Sequence, residues 1–115
     1  MGRRSRQRER LTAPVSEYRD DDGNVLSLRA SLTPGSRRQY RELSAGGLDR
    51  EDAWQRAVEF LFEHLAVSWT LAGVETSRQK ELVGRYRLAS GDERRFVRDA
   101  LRRHVEENFP GLAAP

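Results

Sequence analysis

The segment that most constrains the fold is residues 49–73, DREDAWQRAVEFLFEHLAVSWTLAG, the only part of the chain with enough apolar residues to form the centre of a core. Its apolar side chains recur at spacings of three and four, which is the periodicity of one helical face. These are Trp54, Val58, Leu61, Leu65 and Trp69, and the stripe is widened by Ala57, Phe60, Phe62, Ala66 and Val67. A helix that is apolar on most sides must be covered on most sides. The sequence therefore predicts a long central helix from Asp49 to Gly73.

The length and composition predict one water-soluble domain. The chain has 115 residues, of which 37% are hydrophobic and 34% charged, as is typical of a folded chain rather than a disordered one. It contains no cysteine, which excludes disulfides and thiolate metal sites. No apolar run approaches the roughly 20 residues of a membrane span, and no apolar region follows the arginine-rich start as in a secretory signal. We expect no membrane partner and a cytoplasmic location, in a bacterial host if the protein is viral.

The positive charge is concentrated at the N-terminus. Residues 1–12 contain five arginines and one glutamate, a net charge of +4, whereas the whole chain carries +3. The remaining residues therefore sum to −1, and the high isoelectric point describes the first residues rather than the folded body. Residues 1–14 have no periodicity and few apolar side chains, so we expect a disordered basic arm before a single domain at residues 15–112. The arginines of the arm are Arg3, Arg4, Arg6, Arg8 and Arg10.

A β-hairpin is predicted at the start of the domain. From Leu26 to Leu32 apolar and polar residues alternate, which indicates a half-buried strand, and residues 15–19 show a weaker strand pattern. Between them lies Asp20-Asp21-Asp22-Gly23-Asn24, whose residues tolerate the positive φ angles of a turn. The spacing of these aspartates does not match a calcium-binding loop.

Three further helices are predicted around the central one. Thr33 followed by Pro34 is expected to cap the first helix. Thr76 and Ser90 each begin a capping-box pattern, which places two helices after Gly73, and the last of these should end near Phe109-Pro110-Gly111. Residues 112–115 are expected to fray. The predicted fold class is therefore mainly α: a small domain of about four helices with an N-terminal β-hairpin.

The residues indicate no catalytic or metal chemistry. His64 and His104 have no second metal-type side chain at ligand spacing, and His104 is expected at the rim of the last helix. There is no nucleophile-elbow motif, P-loop or glycine-rich dinucleotide motif. The last helix interleaves arginines with acids, which predicts exposed ion pairs such as Asp99 with Arg102 or Arg103. We expect a protein that is not an enzyme and has no cofactor.

A protein-binding role is favoured by the aromatic content of the central segment. A domain this small has difficulty burying both Trp54 and Trp69, and exposed aromatic surface usually marks a partner site. The predicted partner-binding residues are Trp54, Phe62 and Trp69, together with the edge of the hairpin. A second copy of the chain is a possible partner through that edge.

The motif Ser68-Trp69-Thr70-Leu71-Ala72-Gly73-Val74, followed by Gln79-Lys80-Glu81-Leu82-Val83 and Arg85-Tyr86-Arg87, resembles the small tail assembly chaperones of long-tailed bacteriophages. Many of these proteins carry a tryptophan, an apolar pair and a glycine before a short helical C-terminal part. The resemblance covers about residues 50–105. It implies a small, helix-rich, cofactor-free protein that binds the tape-measure and tail-tube proteins during tail construction, without catalysis.

Binding to nucleic acid is the alternative function. The basic arm could hold phosphates, with an affinity that falls as salt rises. Arg37, Arg38 and Arg41 lie on the first predicted helix and could add to the same surface. The segment from Leu32 to Tyr40 resembles the first helix of the DNA-clamping helical domain of tyrosine recombinases, although the catalytic half of those enzymes is absent.

Overall fold

A computed structural model of the chain describes residues 14–45 and 50–115, which form one layer of helices on one antiparallel sheet. In chain order the elements are β1 Val15–Arg19, β2 Val25–Arg29, α1 Pro34–Ala45, α2 Arg50–Leu65, β3 Ala66–Leu71, β4 Val74–Thr76, α3 Gln79–Arg87 and α4 Gly91–Asn108. The predicted basic arm falls outside the described residues, apart from Pro14. None of the described helices is long and apolar enough to cross a membrane.

The four strands form a single sheet in the order β1-β2-β3-β4, with every neighbouring pair antiparallel. The prediction of a mainly α fold with only an N-terminal hairpin is therefore wrong. The hairpin is half of a larger sheet, and the protein is a mixed α and β fold. In the sequence, α1 and α2 lie between β2 and β3, which pair with each other in the sheet. The sheet therefore depends on a long-range contact that local sequence patterns do not reveal.

The error arose in the central segment, where the helix ends at Leu65 and a strand begins at the next residue. Residues 67–70 are Val, Ser, Trp and Thr, a run rich in the β-branched and aromatic side chains that favour strands. Trp69 continues the four-residue spacing of the helical stripe, yet it lies opposite Leu26 in the sheet. A strand that follows a helix and packs on the same core can continue the spacing of the apolar residues. Periodicity alone therefore does not distinguish a longer helix from a helix followed by a strand.

Gly73, predicted as the end of the central helix, lies instead in the turn between β3 and β4. Ala72 and Gly73 have φ angles of 48° and 80°, and Leu71 pairs with Val74 across the turn. Two successive residues with positive φ are the signature of a type I′ hairpin turn, whose twist matches that of the strands. Glycine adopts this conformation freely, whereas alanine adopts it at a cost.

Replacing Ala72 by asparagine is expected to stabilise the protein by about 0.5–1 kcal/mol, because asparagine tolerates positive φ and Asn-Gly is a preferred type I′ pair. Chemical denaturation followed by circular dichroism measures the change. Gly73→Ala is the matched control and should destabilise by about 1 kcal/mol. A Cβ at position 73 would meet nothing within 4 Å, so its effect reports the backbone alone. Equal stability of both variants would contradict the turn assignment.

The first hairpin and its turn lie where they were predicted, but β2 ends at Arg29 and does not extend to Leu32. The five residues of β1 pair with those of β2, from Val15 opposite Arg29 to Arg19 opposite Val25. The Asp20 carboxylate accepts hydrogen bonds from the backbone N–H groups of Asp22 and Asn24, at 2.9 Å each. These bonds fix the acidic run as turn structure.

Asp49, the predicted start of the central helix, lies outside the described residues. Of the three other predicted helix starts, two are confirmed with their caps. Thr33 Oγ1 accepts from the Ser36 N–H at 3.1 Å at the start of α1. Ser90 and Glu93 form a complete capping box at the start of α4, with bonds of 3.1 and 2.8 Å. The capping box at Thr76 is wrong, because Thr76 closes β4 and the N-cap residue of α3 is Arg78, without a side-chain cap.

The core lies between one face of the sheet and the helices. Tyr18, Leu26 and Trp69 occupy one row across three strands and are all buried. The helices contribute the other buried side chains, among them Val58, Leu61, Phe62 and Leu65 of α2, Leu82 and Tyr86 of α3, and Val97, Leu101 and Val105 of α4. The sheet therefore has one face toward the helices, as expected of a half-buried antiparallel sheet.

The predicted fraying of the C-terminus is also wrong. Leu112 and Pro115 are buried, and the Tyr40 hydroxyl of α1 donates a hydrogen bond to the Ala113 carbonyl. Arg102 Nε donates to the Pro115 carbonyl at 3.0 Å. The last residues thus connect α1 with α4. Burial of the Tyr40 hydroxyl raises its pKa to about 12.

Candidate functional site

The candidate site is a surface groove between α2, the end of α3 and the first half of α4. It has a volume of about 510 Å³ and is lined by Glu51, Trp54, Gln55, Val58, Glu59, Tyr86, Gly91, Arg94, Arg95 and Arg98. We call it the Trp54 groove. Trp54 is only partly buried, whereas Val58 and Tyr86 at its floor belong to the core. The groove therefore joins an accessible aromatic side chain to charged residues on a rigid helical frame.

Arginines from α4 lie directly on the aromatic rings of the groove. The Arg98 guanidinium carbon is 4.6 Å from the centre of the Trp54 ring, and that of Arg94 is 5.4 Å from the centre of the Tyr86 ring. Such cation–π contacts hold an arginine side chain in place while keeping its charge. The side chain of Arg98 is 29% exposed, so its position is restricted without being sealed from solvent.

The ion pairs around the groove are long or exposed. Arg95 is 3.4 Å from Asp92 and Arg98 Nε is 3.5 Å from Asp99, and both aspartates are more than half exposed. Exposed pairs of this kind contribute little to stability. The pairs of Asp99 with Arg102 and Arg103 that the sequence predicted do not form among the described residues, since the closest basic partner of Asp99 is its neighbour Arg98.

Of the three predicted partner-binding side chains, only Trp54 is accessible. Phe62 and Trp69 are each 1% exposed. Phe62 packs edge-on against the Trp69 ring, at 5.7 Å between centroids, and stacks on Tyr86 at 4.9 Å. Both side chains pack inside the core, so a partner does not reach them in this conformation. No local sequence pattern connects Trp54 with Arg94, Arg95 and Arg98, because α2 and α4 meet only in the folded chain.

The residues of the alternative nucleic-acid site are placed only in part. Arg37, Arg38 and Arg41 are exposed on α1, with Arg37 5.4 Å above the Phe109 ring. The arm arginines Arg3, Arg4, Arg6, Arg8 and Arg10 lie outside the described residues. The helix arginines lie on a different element from the Trp54 groove.

His104, predicted at the rim of the last helix, is instead completely buried. Its Nε2 lies 2.7 Å from the Arg29 carbonyl, so Nε2 must carry the hydrogen. Nδ1 then accepts a hydrogen bond from the Tyr18 hydroxyl at 2.9 Å. The Asn108 amide donates to the His104 carbonyl at 3.0 Å, and its nitrogen lies 3.2 Å from Nδ1. Burial lowers the pKa of His104, opposed in part by the Arg29 carbonyl and by Glu107. The neutral ring thereby connects β1, β2 and α4.

His64 lines a second surface pocket of about 420 Å³, together with Arg29, Glu63 and the hydroxyl residues Ser31, Thr33, Ser36 and Ser77. Its Nδ1 donates to the Phe60 carbonyl at 2.9 Å, and its ring stacks on that of Phe60 at 4.0 Å. In the described part of the chain no hydroxyl donates to His64, and nowhere do three potential metal-ligating side chains come together.

Comparisons with protein-family models, with curated proteins and with solved structures found no match to this chain. The residues of the resemblance to tail assembly chaperones fall on β3, on the turn at Ala72 and Gly73, on the first residue of β4, and on α3.

Proposed function

We propose that this chain is a non-enzymatic protein-binding protein of the assembly or adaptor class, acting in the tail assembly of a phage or prophage in the bacterial cytoplasm. The observation that carries the protein-binding part is the Trp54 groove, where a partly exposed tryptophan lies beneath an arginine. Tryptophan and arginine are the side chains most enriched among the residues that dominate protein–protein affinity. The tail-assembly part comes from the resemblance at residues 68–87.

The chemistry of the groove suits a protein segment better than a compact metabolite. A protein-binding centre needs an aromatic anchor surrounded by polar residues that exclude water, and Trp54 with Gln55, Arg94 and Arg95 has that arrangement. The floor is formed by Val58 of α2 and Tyr86 of α3, which are buried in the core, and the arginines come from α4, which begins with a complete capping box. Little ordering is then needed on the side of this chain when a partner binds.

The test is co-expression of the full chain with the tape-measure and tail-tube proteins of the genome that encodes it, followed by affinity purification and size-exclusion chromatography. We expect a defined complex with one of them. Trp54→Ala is expected to weaken that complex by roughly a hundredfold, as loss of a central aromatic anchor does.

Leu88→Ala is the matched control, because Leu88 is the most exposed large apolar side chain among the described residues, at 82%, and does not line the groove. It should leave the complex unchanged. Absence of a complex with either protein would contradict the tail-assembly proposal. A complex indifferent to Trp54→Ala would contradict the assignment of the groove.

DNA binding is a second candidate function, supported by the exposure of all three α1 arginines. Binding of the full chain to random duplex DNA, measured at two salt concentrations, tests it. This function requires binding at low salt that weakens as salt rises and weakens further when Arg37, Arg38 and Arg41 are replaced by glutamine. No binding at low salt would exclude it.

A further inference from the structure

The Trp54 groove has an excess of positive charge. Three arginines line it, Arg94, Arg95 and Arg98, against two glutamates. One of the glutamates, Glu59, is already engaged by Arg87 at 3.1 Å. This excess is local, because the chain without its first twelve residues sums to −1. A ligand in the groove would meet this local charge and not the charge of the whole domain.

Arg98 is positioned to receive a carboxylate. Its guanidinium is held on the Trp54 ring at 4.6 Å. Within the described residues its Nε is buried without a hydrogen-bond partner, and Asp99 approaches it only at 3.5 Å. Because Nε is closed to solvent, a ligand would bind the terminal nitrogens of the guanidinium, which donate no hydrogen bond to the described residues. The described part of the chain thus leaves the hydrogen-bonding capacity of this guanidinium largely unused. An arginine that is fixed before binding loses less side-chain freedom when a ligand arrives.

Arg95 lies one helical turn before Arg98, so the two side chains leave α4 about 5–6 Å apart. Its ion pair with Asp92 is 3.4 Å long, and 93% of the Asp92 side chain is accessible. A carboxylate of a ligand can therefore replace Asp92 as the partner of Arg95. A partner with two carboxylates one helical turn apart would match both arginines. An apolar side chain beside those carboxylates would cover the open part of the Trp54 ring.

We infer that the Trp54 groove binds an acidic segment of a protein partner, with paired carboxylates on Arg95 and Arg98 and an apolar side chain on Trp54. This inference rests on the proposed protein-binding function and adds the chemical class of the partner. Arg95 and Arg98 of α4 would then determine the specificity for the partner, because their ion pairs in the free protein are weak.

Selection from a random peptide library against the full chain tests the inference. We expect the selected peptides to be enriched in pairs of Asp or Glu next to a leucine or an aromatic residue. A selected peptide should bind R98Q roughly tenfold more weakly than the wild type, because a hydrogen bond to a charged group is lost. Its affinity should also fall as salt rises. Peptides without acidic enrichment, or no selection above background, would overturn the inference.

R103Q is the control, because Arg103 lies on the same helix but outside the groove, 5.8 Å above the Tyr18 ring. The affinity of R103Q for the selected peptide should stay within about twofold of the wild type. R98K keeps the charge but loses the planar fork, so it should bind at an intermediate level. Circular dichroism of each variant confirms folding. A natural complex that is weakened by Trp54→Ala but not by R98Q would contradict the acidic partner and leave the proposed function intact. Binding of acidic peptides without any natural complex would support the acidic ligand and contradict the proposed tail-assembly function.

Discussion

Replacing Trp69 by alanine is expected to destabilise the protein by about 3–5 kcal/mol, the range for deleting a large aromatic side chain from a core. Trp69 is 1% exposed and lies in the sheet between Leu26 and Thr76. Its ring contacts Phe62 and lies below the Arg85 guanidinium at 5.6 Å. A domain of this size has a total stability of about 5–15 kcal/mol, so the variant should be close to unfolding at 37 °C. Urea denaturation measures the loss.

Two further variants distinguish this packing role from a surface role. Trp69→Phe should cost less than about 2 kcal/mol, because the indole N–H is buried without a hydrogen-bond partner among the described residues and its removal leaves no acceptor unpaired. Trp54→Ala should cost about 1–2 kcal/mol, since Trp54 is partly exposed. If Trp54→Ala proved the more destabilising alanine substitution, Trp54 rather than Trp69 would be the core tryptophan.

The two tryptophans show what the sequence could predict of the fold. Helical periodicity correctly placed a helix over the first part of residues 49–73, and turn and cap residues correctly placed the first hairpin, α1 and α4. The pattern failed at Leu65, because Trp69 satisfies both a helical spacing and the alternation of a strand. The deciding interaction is the pairing of β3 with β2, separated by α1 and α2, and no local pattern carries that information.

The site was predictable only in its aromatic component. Trp54 was expected at a partner surface, and it lines the groove. The arginines of α4 were interpreted as a solvated, paired face because acids interleave with them in sequence. Contacts from other elements decide whether a charged helix face is simply exposed to solvent. For Arg98 the contact is the Trp54 ring of α2. An isolated pattern of alternating charge cannot distinguish these cases.

His104 also shows how tertiary contacts decide the environment of a polar residue. On α4 it continues the stripe of Val97, Ala100, Leu101 and Val105, so its position on the buried face follows from periodicity. Its hydrogen bonds to Tyr18 and Arg29 come from the hairpin more than seventy residues away. A buried polar ring is tolerated only when such partners satisfy it. This ring is therefore one of the contacts that join the hairpin, whose edge was predicted to bind a partner, to α4.

The stability of the protein is expected to fall as the pH drops below about 6.5, because the folded state binds the His104 proton less readily than the unfolded state. The pKa of His104 in the folded state lies below its ordinary value of 6.5. As the pH falls through 6.5 the unfolded chain takes up the proton first, so the free energy of unfolding decreases by up to about 1.4 kcal/mol per pH unit until the folded ring is protonated as well. Protonation places a hydrogen on Nδ1, which lies 3.2 Å from the Asn108 amide nitrogen, so two donors would face each other.

His104→Gln isolates this contribution. Glutamine does not titrate, so the difference in stability between wild type and variant should shrink as the pH is lowered from about 7 to about 5, above the range in which most carboxylates take up protons. At neutral pH the variant should be less stable by about 1–3 kcal/mol, because the Tyr18 hydroxyl or the Arg29 carbonyl loses part of its hydrogen bonding. Tyr18→Phe, which removes one donor and keeps the titrating ring, should cost about 1 kcal/mol and retain the pH dependence. A wild-type stability that stays constant over this range, or a difference that does not shrink, would show that folding does not lower the pKa of His104. A stability that rises as the pH falls would show that the ring is protonated in the folded state and that Nδ1 is not the acceptor.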